Sequence, residues 1–186
     1  MSCSWPKTDD QGHIWMRADS PRERLDSFEK RRKFLAIHAD HADWSECTPF
    51  TSFAKKPFNI EELASTHKEK DRGRQRLIVI NPNVRIAKQL PFLKMKLEMM
   101  RYNIRDPYGR SYKYYDDHYI TLWEVTPEEV VGRWDWENEL EGNPRWHEQI
   151  VLPAFQEHDR ASRAVTGFGG NVNSGVFRAA GFPGFL

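Results

Sequence analysis

Cysteine is scarce in this chain, net charge is nearly absent, and no apolar run is long; each shortage excludes something. Two cysteines, Cys3 and Cys47, among 186 residues make neither a disulfide framework nor a four-ligand zinc site. With so few thiols a reducing compartment is the default. No stretch approaches the roughly 18 apolar residues of a membrane helix. The opening MSCSWPKTDDQGH lacks the basic segment and apolar run of a secretory signal. These absences predict an intracellular protein, cytoplasmic or nuclear. The 28 Lys and Arg residues almost cancel the 27 Asp and Glu residues, so no global field gathers polyanions, and neither nucleic acid nor a membrane is expected as a partner. No glycine-rich loop follows an extended run, which removes the phosphate-binding contact of Rossmann and P-loop folds.

What the chain does have is aromatic bulk: seven Trp, six Tyr and eleven Phe, enough buried area per residue to supply a core. The length predicts one domain, placed at 13–164 between a polar tail, 1–12, and a Gly/Phe-rich tail, 165–186. Ser20-Pro21-Arg22-Glu23 reads as a capping box opening a helix to about Ile37, with Leu25, Phe28, Phe34 and Leu35 toward the core. Asn59-Ile60-Glu61-Glu62 reads as a second helix start. Leu77-Ile78-Val79-Ile80, ended by Asn81-Pro82-Asn83, reads as a buried strand. Pro91 is placed to start a helix in which Phe92, Met95 and Met99 share a face. Asp106-Pro107-Tyr108-Gly109 is a turn, His118 to Val125 alternates as a strand, and Val130 to Trp136 is extended. A last helix opens at Asn143-Pro144 and is interrupted near Pro153. Strands interleaved irregularly with helices predict an α+β fold.

Three short segments carry one polar group each amid apolar neighbours: Ile14-Trp15-Met16-Arg17, Thr48-Pro49-Phe50-Thr51-Ser52-Phe53, and Asp116-Asp117-His118-Tyr119-Ile120-Thr121-Leu122-Trp123. In this order, with His41 to Trp44 before the second and Val125-Thr126-Pro127 after the third, they resemble a mainly fungal family of ADP-ribosyltransferase-like domains over about residues 13–135. The resemblance implies split mixed or antiparallel sheets with flanking helices, and NAD as substrate. It implies mono-ADP-ribosyl transfer to a protein or small acceptor, or NAD glycohydrolysis. Carried over by position, Arg17 holds ribose or phosphate oxygens through forked hydrogen bonds, Thr51 and Ser52 support the site from the adjoining strand, and Phe53 or Tyr119 stacks on nicotinamide. Breaking the nicotinamide–ribose bond builds positive charge on the sugar, so a carboxylate is needed beside it. At that position the chain has His118, with Asp117 one residue before; both are the catalytic candidates. The competing reading is a catalytically silent module on the same fold that docks a partner through its aromatic C-terminal part.

Other clusters have plainer explanations. His38, Asp40, His41 and Asp43 are metal-ligand types, but their spacing matches no helical zinc motif, and caps and turns after the first helix account for them. No metal site is expected. Ser52, His118 and Asp117 have the residue types of a hydrolase triad, yet no Gly-x-Ser-x-Gly elbow exposes the hydroxyl. Trp134, Trp136 and Trp146 read as anchors for the last helix.

Overall fold

A computed structural model of the chain describes residues 24–40, 47–71, 73–166 and 176–180. In chain order the elements are α1 (Phe28–Ala39), β1 (Phe50–Ala54), α2 (Pro57–Glu69), β2 (Arg76–Ile80), α3 (Pro82–Ala87), β3 (Phe92–Lys94), α4 (Met95–Arg101), β4 (His118–Leu122), β5 (Val130–Asp135), α5 (Leu152–Thr166) and β6 (Val176–Ala180). This is an α+β order. Where one domain is expected over 13–164, the contacts resolve into two compact units. The first holds the chain up to Ser52 together with Phe92–Pro127 and Pro183–Leu186, and the second holds Phe53–Pro91 and Glu128–Phe182.

In the first unit, α1 begins at Phe28 because Ser27 caps it, its hydroxyl accepting from Lys30 N–H at 3.1 Å. The expected cap at Ser20 lies outside the described residues. Leu35, His38 and Ala39 form the buried face of α1, while Phe28, expected in the core, is 54% exposed at its first turn. Pro91 does not start a helix. Phe92–Lys94 instead pairs antiparallel with β4, Phe92 opposite Thr121 and Lys94 opposite Tyr119, and the helix starts at Met95. Strand pairing overrides the local helix signal, as tertiary context often does. Met95 and Met99 are buried, one turn apart, beneath Leu35, Phe50, Tyr115, Ile120 and Leu122. β4 neighbours β1 and stops at Leu122, short of the expected Val125. There Trp123 turns to φ 63° and its N–H donates to Pro49 O at 2.9 Å.

In the second unit, β6 lies between β2 and the end of β1, with β5 on the far side of β2. All the registers recorded there are antiparallel. β6 falls within the stretch read as a C-terminal tail; its ladder with β2 is a long-range pairing that local composition does not announce. Proline sets the first residue of α2, at Pro57 rather than after Asn59. Asn81-Pro82-Asn83 ends β2 as expected and also opens α3, Asn81 Oδ1 accepting from Asn83 N–H at 2.9 Å. Arg85 on α3 donates to Glu129 at 2.8 Å and to Pro91 O at 2.8 Å, with the Arg85 and Glu129 side chains both closed to solvent. At Gly132 a Cβ would lie 2.4 Å from the Trp134 ring, which would have to shift to admit it. Pro153 lacks the N–H of a regular helix, and the chain before it, His147–Val151, winds as a wider π turn that runs into α5. Trp136 and Trp146 meet edge to face in the core at 5.5 Å.

Reduced thiols are not what is found. Cys47 is disulfide-bonded, its other half outside the described residues. Among the described residues no helix is long and apolar enough to cross a membrane.

Candidate functional site

The first unit brings two of the three polar segments together, because β1 and β4 are neighbours. Side chains alternate across a strand, and this divides the expected site residues. Phe50 and Ser52 share one face of β1: Phe50 packs in the core with Leu35 and Ala39, and Ser52 reaches His38 on α1. His118, Ile120 and Leu122 share one face of β4, and Ile120 and Leu122 enter that same core. Ser52 and His118 therefore face the helices. Thr51 and Tyr119 are on the other face. Thr51 is buried, and the Tyr119 ring stacks on Phe92 at 5.0 Å and 10°, so one of its faces is taken. Phe53 is buried and belongs to the second unit. Arg17 lies outside the described residues, as do His41 and Asp43. Among the described residues no three His, Cys, Asp or Glu groups are set to hold a metal.

Ser52 has a partner that its sequence neighbours do not suggest. The last turn of α1 aims His38 at β1, and Nε2 lies 2.8 Å from Ser52 Oγ while Nδ1 lies 2.9 Å from Thr48 Oγ1. The ring is buried and tilts against Phe50 at 5.4 Å. His38 thus packs behind the site rather than serving as a turn residue.

Around His118 the structure adds a polar and aromatic cluster. The turn after Ile104 closes at Gly109, whose φ of 70° suits glycine and whose N–H donates to Asp106 O at 3.1 Å. Arg110 then folds back: its side chain donates to both oxygens of Asp106, Nη2 to Oδ1 at 2.8 Å and Nε to Oδ2 at 3.1 Å, and its backbone N–H donates to Oδ2 at 2.7 Å. Tyr115 also donates its hydroxyl to Asp106. Burial alone would raise the Asp106 carboxyl, but the hydrogen bonds from Arg110 and Tyr115 outweigh it and bring it down to about 2. Burial and the Asp106 hydrogen bond push the Tyr115 phenol well above its ordinary value. The guanidinium of Arg110 lies over Tyr114 at 3.8 Å and over Tyr108 at 4.7 Å. Tyr114 and Tyr115 in turn meet His118 edge-on at 4.9 and 5.6 Å.

His118 is accordingly held below its ordinary 6.5, first by burial and then by the Arg110 cation, with Asp117 opposing. It is a neutral imidazole at neutral pH, able to take a proton and unable to act as an anion. Asp106, Arg110 and Tyr115 were not among the sequence candidates. The turn signal at Asp106-Pro107-Tyr108-Gly109 marks their place, but only the fold turns them toward His118. No protein-family model, curated protein or solved structure matches the chain.

Proposed function

We propose that this protein handles NAD as an ADP-ribosyltransferase-like domain, by mono-ADP-ribosyl transfer or NAD glycohydrolysis. The supporting observation, beside the resemblance of the three segments, is that the strand carrying Ser52 and the strand that opens at His118, just after Asp117, are neighbours, with Ser52, Asp117 and His118 in one unit. In the reaction the bonding pair of the nicotinamide–ribose bond leaves with nicotinamide, and an acceptor hydroxyl or water joins the sugar carbon and gives up its proton. The residues present supply that chemistry in part. Asp117 is the carboxylate that would face the developing positive charge. His118, kept neutral by burial, would take the acceptor's proton. Ser52 would hydrogen-bond the bound molecule, and Arg17 would grip its ribose or phosphate oxygens.

A second reading has its own observation. The resemblance places a glutamate where this chain has His118, and an imidazole set edge-on to two tyrosines and under the field of a guanidinium replaces no negative charge. On that reading the domain is catalytically silent and binds a protein partner. Incubation of pure protein with NAD, following nicotinamide release and the thermal shift together, separates the two. Turnover is expected from the wild type, with Asp117→Asn losing about 100-fold or more and Arg17→Ala losing NAD binding at unchanged melting temperature. Neither release nor shift with the wild type would reject the NAD reading and leave the module.

A further inference from the structure

The hydrogen bonds around Ser52 determine more than its partner. Thr48 is wholly buried, and among the described residues its hydroxyl meets His38 Nδ1 and nothing else. A hydroxyl has one proton to give and two lone pairs, and a buried donor left without an acceptor is the costlier omission. The Thr48 proton therefore points at Nδ1, which accepts. A neutral imidazole that accepts at Nδ1 carries its proton on Nε2, and Nε2 sits 2.8 Å from Ser52 Oγ. His38 donates to Ser52, and the proton of Ser52 is turned away from His38. Either alternative, a ring protonated on both nitrogens or one protonated on Nδ1, leaves Thr48 with no acceptor.

We infer that His38 is a positioning residue that holds Ser52 as an outward hydrogen-bond donor, with Thr48 setting the tautomer. The group that Ser52 meets in a ligand is then an acceptor oxygen. Ser52 is not an activated nucleophile, since in a serine–histidine catalytic pair the hydroxyl gives its proton to the imidazole, the reverse of this arrangement. The buried ring, set against Phe50, is held in place while Ser52 itself is partly open.

The tautomer stands on geometry alone; its consequence for binding rests on the NAD reading above. Long-range nitrogen–proton correlation spectra of labelled protein, with His38 assigned by its absence in a variant, are expected to show a bare Nδ1 and a protonated Nε2, and Thr48→Val is expected to remove that preference. A proton on Nδ1 in the wild type would overturn the proposal. In NAD titrations, Ser52→Ala and His38→Ala are each expected to bind about tenfold more weakly. His38→Gln, whose amide can still donate to Ser52, is expected to stay near wild type. Equal weakening in His38→Gln and His38→Ala, with Ser52→Ala unaffected, would also overturn it. A wild type that does not bind NAD rejects the NAD reading, and the spectra then decide this proposal by themselves.

Discussion

In the second unit Arg85 meets Glu129 at 2.8 Å with neither side chain reaching solvent; in the first, Arg110 meets Asp106 at the same 2.8 Å with 26% of its side chain still open and tyrosine rings over its guanidinium. Equal contact distance hides unequal physics. A fully buried pair has given up all its hydration, and its attraction is needed merely to offset that loss. Its observable consequence is the fold: Arg85 also ties the α3 segment to Pro91 O. The half-open pair keeps part of its hydration, places a cation near His118, and shapes the acid–base behaviour of the candidate site.

Breaking the buried pair should have the largest effect. Arg85→Met takes the cation away from a buried carboxylate and is expected to cost about 3–5 kcal/mol in urea unfolding, whereas Arg85→Met with Glu129→Leu should recover most of the loss. Recovery by the double variant shows that the buried charge left without its cation, and not the lost attraction, is what destabilises; no recovery would put the two pairs on the same footing.

The half-open pair should yield a smaller change that depends on pH. The folded value of Asp106 lies below its ordinary 3.8, so the unfolded chain binds the proton more readily. The stabilisation is full above pH 3.8 and disappears as pH falls to about 2. It amounts to about 2 kcal/mol. Asp106→Asn should lose that amount at neutral pH and flatten the acid limb of the stability curve. An unchanged acid limb would show that the cluster does not hold Asp106 ionised.

The smallest effect sharpens the contrast at His118. Asp117 is the influence that raises this imidazole, so Asp117→Asn should move its titration further below 6.5, read from ring-proton shifts, in a protein folded like the wild type. Because the folded value is depressed, this residue favours folding above pH 6.5 and disfavours it as pH falls. The variant should deepen that disadvantage slightly. An upward shift would mean that Asp117 does not face His118.

What could be read along the chain was local. The β-branched run Leu77–Ile80, the alternation from His118 and the turn before Gly109 each carry their signal within a few residues. The four-residue spacing of Met95 and Met99 does so too, although the helix begins later than Pro91 suggests. β3 escaped because three residues after a proline read equally well as a helix start, and the pairing of Phe92 with Thr121 decided otherwise. β6 escaped because its signal is its ladder with β2, which is about a hundred residues away in sequence. Thr48 and His38 are ten residues apart, yet nothing in either residue says that one imidazole will bridge two hydroxyls.

By itself the amino-acid order determined an α+β chain with aromatic bulk, two polar strand segments, and a histidine where the resemblance expects an acid. Those follow from periodicity, turn chemistry and residue type, which act over one or two turns of chain. Tertiary structure alone decided that Ser52 and His118 turn toward the helices while Thr51 and Tyr119 turn away, that His38 stands behind Ser52, and that Arg110 bears on His118. Strand pairing selects a face for every side chain at once, and burial then sets which protons are held and which are given up; neither exists until distant segments meet.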